Sequence, residues 1–147
     1  MTAIEKKLFC AQDTINLGHF LGTHYGRNAN LILLSGDLGA GKTTLANGFF
    51  TAILPQPTAI LSPTYTYMNE YLTDRPCYHF DLYRIEHEHQ LDELGLRDFL
   101  LNSHALRLVE WPEKVPDLYA LADLVIELKR QENYTHAKII MIKKHIA

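Results

Sequence analysis

Residues 36–43 read Gly-Asp-Leu-Gly-Ala-Gly-Lys-Thr and follow directly behind the apolar run Leu31–Leu34. This is the G-x-x-x-x-G-K-[ST] phosphate-binding pattern, set between a predicted strand and a predicted helix. The chemistry it can do is to hold a polyphosphate. Gly36, Gly39 and Gly41 let the chain turn tightly and aim several N–H groups at one point. The following helix adds the positive end of its dipole. Lys42 reaches β- and γ-phosphates, Thr43 offers a hydroxyl to Mg2+, and Thr44 is near enough to meet an α-phosphate. The candidate nucleotide-binding segment is therefore Gly36, Asp37, Leu38, Gly39, Ala40, Gly41, Lys42, Thr43 and Thr44. Asp37 is unusual there, and its carboxylate must point away from the ligand or toward a water or a partner.

Mg2+ prefers oxygen ligands and usually takes a carboxylate beside the phosphates. Phosphoryl transfer also needs the attacking group held in line. Two acids are placed for this. Glu110 ends the apolar strand Leu106-Arg-Leu-Val, as an acid delivered at a carboxyl tip should; the plainer reading is an acid that closes a strand before a turn. Asp81 follows Tyr78-His-Phe80, where an unpaired charge among aromatics is costly, and a salt bridge to Arg84 or another arginine would equally account for it. Periodicity leaves open which acid meets the metal and which positions water. Thr64, in Ser62-Pro-Thr64, is either a switch-like hydroxyl that senses a γ-phosphate or a turn threonine. His79, Trp111 and Lys114 are each divided between a site role and a structural one. His87 and His89 are not read as a metal pair.

The elements that must position these groups follow from the pattern. Ile4–Cys10 alternates as a short edge strand. Asp13 or Thr14 is expected to cap a helix carrying Leu17, Phe20, Leu21 and Tyr25. A second helix begins near Lys42, with Leu45, Phe49 and Ile53 on a broad apolar face. Gly48 inside it suggests a close approach to the sheet, and Pro55 and Pro57 end it. Thr58–Tyr71 reads as a loop entering a strand. Cys77–Ile85 reads as a strand with His79, Asp81 and Tyr83 on one side and Tyr78, Phe80, Leu82 and Arg84 on the other. Short helical turns are expected within Ile85–Gly95 and Leu96–Asn102. Leu106–Trp111 is a buried strand, and Leu121–Lys129 with Ala137–Lys143 forms an antiparallel hairpin. The expected fold is α/β, a P-loop NTPase-like three-layer arrangement. Its sheet is mixed with helices on its faces, and its site lies at the carboxyl ends of the central strands.

The chain has 147 residues, enough for one domain, and residues 1–147 are expected to form a single P-loop unit. Its net charge of −3 gives no electrostatic case for gripping nucleic acid unaided. No apolar stretch approaches a membrane span and no secretory signal is evident at the start, so no membrane partner is expected and the cytoplasm is the expected compartment. Two distant cysteines, Cys10 and Cys77, make no disulfide framework.

Four ordered stretches together resemble the small bacterial ATPase family required for threonylcarbamoyladenosine modification of transfer RNA, called TsaE or YjeE. These are Gly36-Asp-Leu-Gly-Ala-Gly-Lys-Thr43, Ser62-Pro-Thr-Tyr65, His79-Phe-Asp-Leu-Tyr-Arg84 and Leu108-Val-Glu-Trp-Pro-Glu-Lys114. Tyr65 stands where phenylalanine is common in that family. The resemblance implies a single P-loop ATPase domain over residues 1–147, with a mixed, centrally parallel sheet and antiparallel flanking strands. It also implies Mg2+-dependent ATPase activity, weak alone and stronger in complex with the transferase TsaD and its companion TsaB. ATP turnover would support that complex as it modifies adenosine 37, with transfer RNA met through the complex. By position it implies that Lys42 holds phosphate, that Thr43 and Glu110 hold Mg2+, and that Thr64 and Asp81 serve hydrolysis and partner coupling. Tyr83, Arg84 and Trp111 are expected nearby. The alternatives are a small-molecule kinase, for which Arg75, Arg84 and Arg97 would have to supply a second pocket, and a nucleotide-gated binding protein without turnover.

Overall fold

Leu31–Leu34 is apolar without a break, and a strand so composed must be covered on both faces. In the computed structural model, which describes residues 2–55 and 60–143, this run opens β2 (Leu31–Gly36) at the centre of a seven-stranded sheet. The other strands are β1 (Thr2–Leu8), β3 (Met68–Leu72), β4 (Pro76–Asp81), β5 (Leu106–Glu110), β6 (Leu124–Arg130) and β7 (Thr135–Met141). Their order is β1-β7-β6-β2-β5-β4-β3. β2 runs parallel to β5 and β6, and β5 parallel to β4. β1, β7 and β3 pair antiparallel at the flanks. The mixed, centrally parallel sheet is thus the one the sequence implied.

The alternation of β2 divides the core. Ile32 and Leu34 face Leu21, Leu45, Phe49 and Phe50 of the helices α1 (Ala11–Tyr25) and α2 (Lys42–Ile53). Leu31 and Leu33 face the opposite layer, where Leu91 and Leu100 of two short helices, α3 (Gln90–Glu93) and α4 (Arg97–Leu100), pack with Val115 and Leu118. Helices therefore cover both faces, as a three-layer fold requires.

Gly48 does mark a close approach, but to α1 rather than to the sheet. A Cβ there would stand 2.1 Å from the Ile15 carbonyl oxygen, and one on Gly18 would stand 2.1 Å from that of Leu45. Each helix offers its glycine to the other's backbone, which justifies a residue that costs about 1 kcal/mol in a helix interior.

Several boundaries differ from the pattern-based reading. Cys10, not Asp13 or Thr14, is the N-cap of α1; Asp13 sits within the first turn and accepts the Phe9 N–H at 2.9 Å. Phe20 is exposed rather than in the core. β4 ends at Asp81, so Tyr83 and Arg84 leave the two-residue alternation and enter a turn. β5 ends at Glu110, because Trp111 has a left-handed backbone (φ 59°) that no strand continues through. β6 begins at Leu124 rather than Leu121. Pro57 and Thr58 lie outside the described residues. No helix of the described residues is long and apolar enough to cross a membrane.

Register sets the site. Glu110 is paired with Leu34 on one side and with Asp81 on the other. β4 and β5 therefore finish in line, each on an acid, while β2 runs on to Gly36 and carries the chain into the loop beside them.

Candidate functional site

After Gly36 the chain turns through residues 37–41 into α2. Gly39 (φ 80°) and Gly41 (φ 106°) take backbone angles that disfavour any side chain. Gly41 is the N-cap of α2, no side chain caps this helix, and its first turn holds no acid. The first N–H groups are thus left for an external anion, which the helix dipole also favours.

Lys42 is buried at 5% exposure, and its ammonium folds back on the loop. It donates to the carbonyl oxygens of Gly36 (2.5 Å) and Asp37 (2.9 Å) and lies 4.1 Å from the centre of the Trp111 ring. Burial pulls its pKa below the ordinary lysine value, and the carboxylates of Glu110, Glu113, Asp81 and Asp37 oppose that pull. The left-handed turn at Trp111 is the bend that sets its ring against this ammonium, and Tyr83 packs on the same ring at 4.8 Å.

The acids are paired with neighbouring side chains. Thr43 Oγ1 donates to Glu110, 3.1 Å from Oε1 and 3.4 Å from Oε2. His79 Nε2 stands 2.6 Å from Glu110 Oε2, with both residues buried. Thr64 Oγ1 donates to Asp81 Oδ2 at 2.9 Å, with Ser62 Oγ 2.7 Å behind it, and the Tyr83 N–H donates to Asp81 Oδ1 at 2.9 Å. Among the described residues Asp81 makes no ion pair with an arginine; Arg84 lies instead against the rings of Tyr65 and Tyr67.

A cleft of 270 Å³ is lined by Leu38, Gly39, Gly41, Lys42, Thr43, Thr44, Thr64, Asp81, Glu110 and Trp111. The structure thus brings Lys42, Thr43, Thr64, Asp81 and Glu110 to one place. Asp37 is exposed and Ala40 is buried in the core, and neither lines the cleft; Gly36 meets it through the carbonyl that Lys42 holds. Lys114 reaches only the edge, 6.0 Å from the Tyr83 ring centre. Thr43 and Glu110 present the hard oxygen donors that Mg2+ takes, in the small number it uses when phosphates and waters complete its shell.

Sequence reasoning missed a second cavity, of 390 Å³, that shares Gly39, Gly41 and Thr44 with the cleft. Its other walls are Leu8–Ala11 and Thr14, before and within the start of α1, and Arg130–Thr135, between β6 and β7. Only the pairing of β1 with β7 brings these distant segments together, placing Leu8 beside Thr135. It also missed the contact of His79 with Glu110, although the shared side of His79 and Asp81 was a signal for it.

Comparison with known proteins agrees with this geometry. The family model described as threonylcarbamoyl adenosine biosynthesis protein TsaE matches residues 9–139. The tRNA threonylcarbamoyladenosine biosynthesis protein TsaE of Haemophilus influenzae is 37% identical over 113 residues, covering 76% of this chain and 70% of that protein. The protein of the same name from Nostoc sp. is 41% identical over 117 residues, covering 75% and 70%. The crystal structure of YdiB, a Bacillus protein, superposes with a TM-score of 0.72 over 97% of this chain and 87% of that one, at 22% identity, a likeness of fold. With the model's match running from the end of β1 into β7, and so across every element that builds the cleft, this chain belongs to the TsaE family.

Proposed function

We propose that this protein binds ATP with Mg2+ and hydrolyses it, and that the turnover supports threonylcarbamoyladenosine modification of adenosine 37 in transfer RNA through a TsaB–TsaD complex. The observation that carries this reading is the convergence of Lys42, Thr43, Asp81 and Glu110 on one cleft at the uncapped start of α2.

In this reading Lys42 exchanges its two loop carbonyls for the β- and γ-phosphate oxygens. The open N–H groups of the first turn of α2 take the remaining phosphate charge. Thr43 and Glu110 hold Mg2+, which when bound neutralises charge on the phosphate oxygens. Asp81, fixed by Thr64 and by the Tyr83 N–H, orients the water for in-line attack on the γ-phosphorus. Thr64 belongs to the segment that precedes β3 and so couples this acid to a partner's surface. The nucleoside occupies the second cavity, which adjoins the loop at Thr44 and carries the Phe9 and Tyr134 rings, 6.0 Å apart, as apolar walls for a base. Among the described residues that line the cleft, no base other than these paired acids stands, in keeping with a site completed by a partner.

The kinase alternative finds less support. Arg75 donates to Asn30 Oδ1 and to the carbonyls of Gly26 and Ala29, and Arg97 pairs with Asp92 on the surface. Neither lines the cleft.

Steady-state ATPase activity with and without a TsaB–TsaD pair, for the intact protein and Glu110→Ala, tests the proposal. The expected result is low turnover alone, stimulation by the pair, and loss of that stimulation in the variant. Equal rates in every sample would refute it, and a phosphorylated acceptor in place of inorganic phosphate would favour the kinase.

A further inference from the structure

The carboxylate of Glu110 has two side-chain partners of different kinds. Thr43 lines the cleft, whereas His79 does not: it is fully buried in β4 behind the acid, 5.3 Å from the Phe50 ring of α2. The two bonds reach the carboxylate from different sides. On the reading of the cleft as a metal site, Thr43 Oγ1 would offer a lone pair to the cation beside a Glu110 oxygen, whereas the bond from His79 Nε2 comes from the protein side and would hold with or without a metal.

The tautomer of His79 follows from its surroundings. Nδ1 is buried and has no hydrogen-bond partner among the described residues, while Nε2 is 2.6 Å from Oε2. Of the two neutral tautomers, one places its proton on Nε2 and donates to the carboxylate. The other would bury an unpaired N–H and set a bare nitrogen against a carboxylate oxygen, losing on both counts. Burial and the packing of Phe50 leave the ring little freedom to turn.

We infer that His79 is a positioning residue that, by donating from Nε2, fixes the orientation in which Glu110 presents its carboxylate to the metal of the bound nucleotide. This rests on the reading of the cleft as a Mg2+–nucleotide site. It assigns His79 no contact with substrate. Losing an outer partner of a metal-binding carboxylate typically lowers metal affinity about 10- to 100-fold.

The experiment compares wild type, His79→Gln and His79→Phe. Glutamine returns an N–H near the Nε2 position; phenylalanine keeps a ring against Phe50 and removes the donor. Mn2+ binding to the ADP complex is followed by electron paramagnetic resonance, and ADP affinity without metal by calorimetry. The expected result is half-saturating Mn2+ raised about tenfold or more in His79→Phe and within about threefold of wild type in His79→Gln. Metal-free ADP affinity should be equal in all three. Wild-type metal affinity in a folded His79→Phe would overturn the inference, as would an equal loss in both variants. Should His79→Phe not fold, nitrogen-15 spectra of the wild-type imidazole decide: a proton on Nε2 supports the assignment and a bare Nε2 overturns it. Failure of the wild type itself to bind metal with ADP would instead refute the reading of the cleft.

Discussion

The two ends of the central strands both bury charge, and they treat it differently. At the amino ends Asp123 accepts the backbone N–H groups of Asn30 (2.6 Å) and Leu31 (3.1 Å) and pairs with Lys143. Arg75 donates to the Gly26 and Ala29 carbonyls and to Asn30, and Arg107, buried within β5, donates to the carbonyls of Leu100 and Ala105. At the carboxyl ends side chains hold most of the acid oxygens: Thr64 donates to Asp81, which also accepts one backbone N–H from Tyr83, while Thr43 and His79 hold Glu110, and both acids face a cleft. Backbone partners cannot leave without unfolding the segment that carries them. Hydroxyls and an ammonium can re-aim. Buried charge is thus common to both ends; what sets the candidate site apart is that most of its partners can re-aim.

The contrast predicts opposite outcomes for substitutions at the two ends. Lys42→Ala should cost about a thousandfold in nucleotide affinity, roughly 4 kcal/mol, since it removes one member of a buried charge-assisted contact. Its melting temperature should stay within about 3 °C of wild type, because the ammonium's burial is itself unfavourable. A large loss of stability with intact binding would erase the distinction. Asp123→Ala should do the reverse. Removing a buried acid that satisfies the buried Leu31 N–H and the half-buried Asn30 N–H should destabilise the fold by about 3 kcal/mol, lowering the melting temperature by about 10 °C, with nucleotide affinity unchanged.

A gentler change sharpens the same point through pH. Burial pushes the Asp123 carboxyl up, but the Asn30 and Leu31 N–H groups and Lys143 more than offset it, so its pKa is held below the ordinary aspartate value. A depressed acid contributes stability that is present above the unfolded pKa, about 3.9, and lost as pH falls through the folded value. The stability gap between wild type and Asp123→Asn should therefore narrow on going from pH 7 to about pH 3, as read by denaturant unfolding. A constant gap would contradict the assignment. The smallest effect is expected for Arg75→Met, about 1–2 kcal/mol of stability with no change in binding.

The sequence showed the two ends unequally. The phosphate-binding pattern, the acids at residues 81 and 110, and the apolar runs of β2 and β5 were legible because strand and helix periods are local. How the chain leaves β5 at Trp111 and enters β3 at Tyr67 was not, since both residues adopt positive φ angles that only tertiary contacts enforce. The partner of Gly48 was hidden for the same reason: close packing shows that a neighbour exists, and the crossing of two helices decides which. The second cavity was invisible because its walls are joined by long-range pairing of β1 with β7. The amino-end network passed unnoticed because Asp123 falls inside the strand expected from Leu121, whereas β6 begins only at Leu124, and because Arg75 sits in a turn, where charged residues are ordinary.

The most direct measurement is a calorimetric titration of the folded protein with ADP or ATP and Mg2+, with and without the TsaB–TsaD pair. One saturable site per chain, abolished in Lys42→Ala, is the predicted result. A well-folded wild type that takes up no nucleotide under any of these conditions would contradict the account.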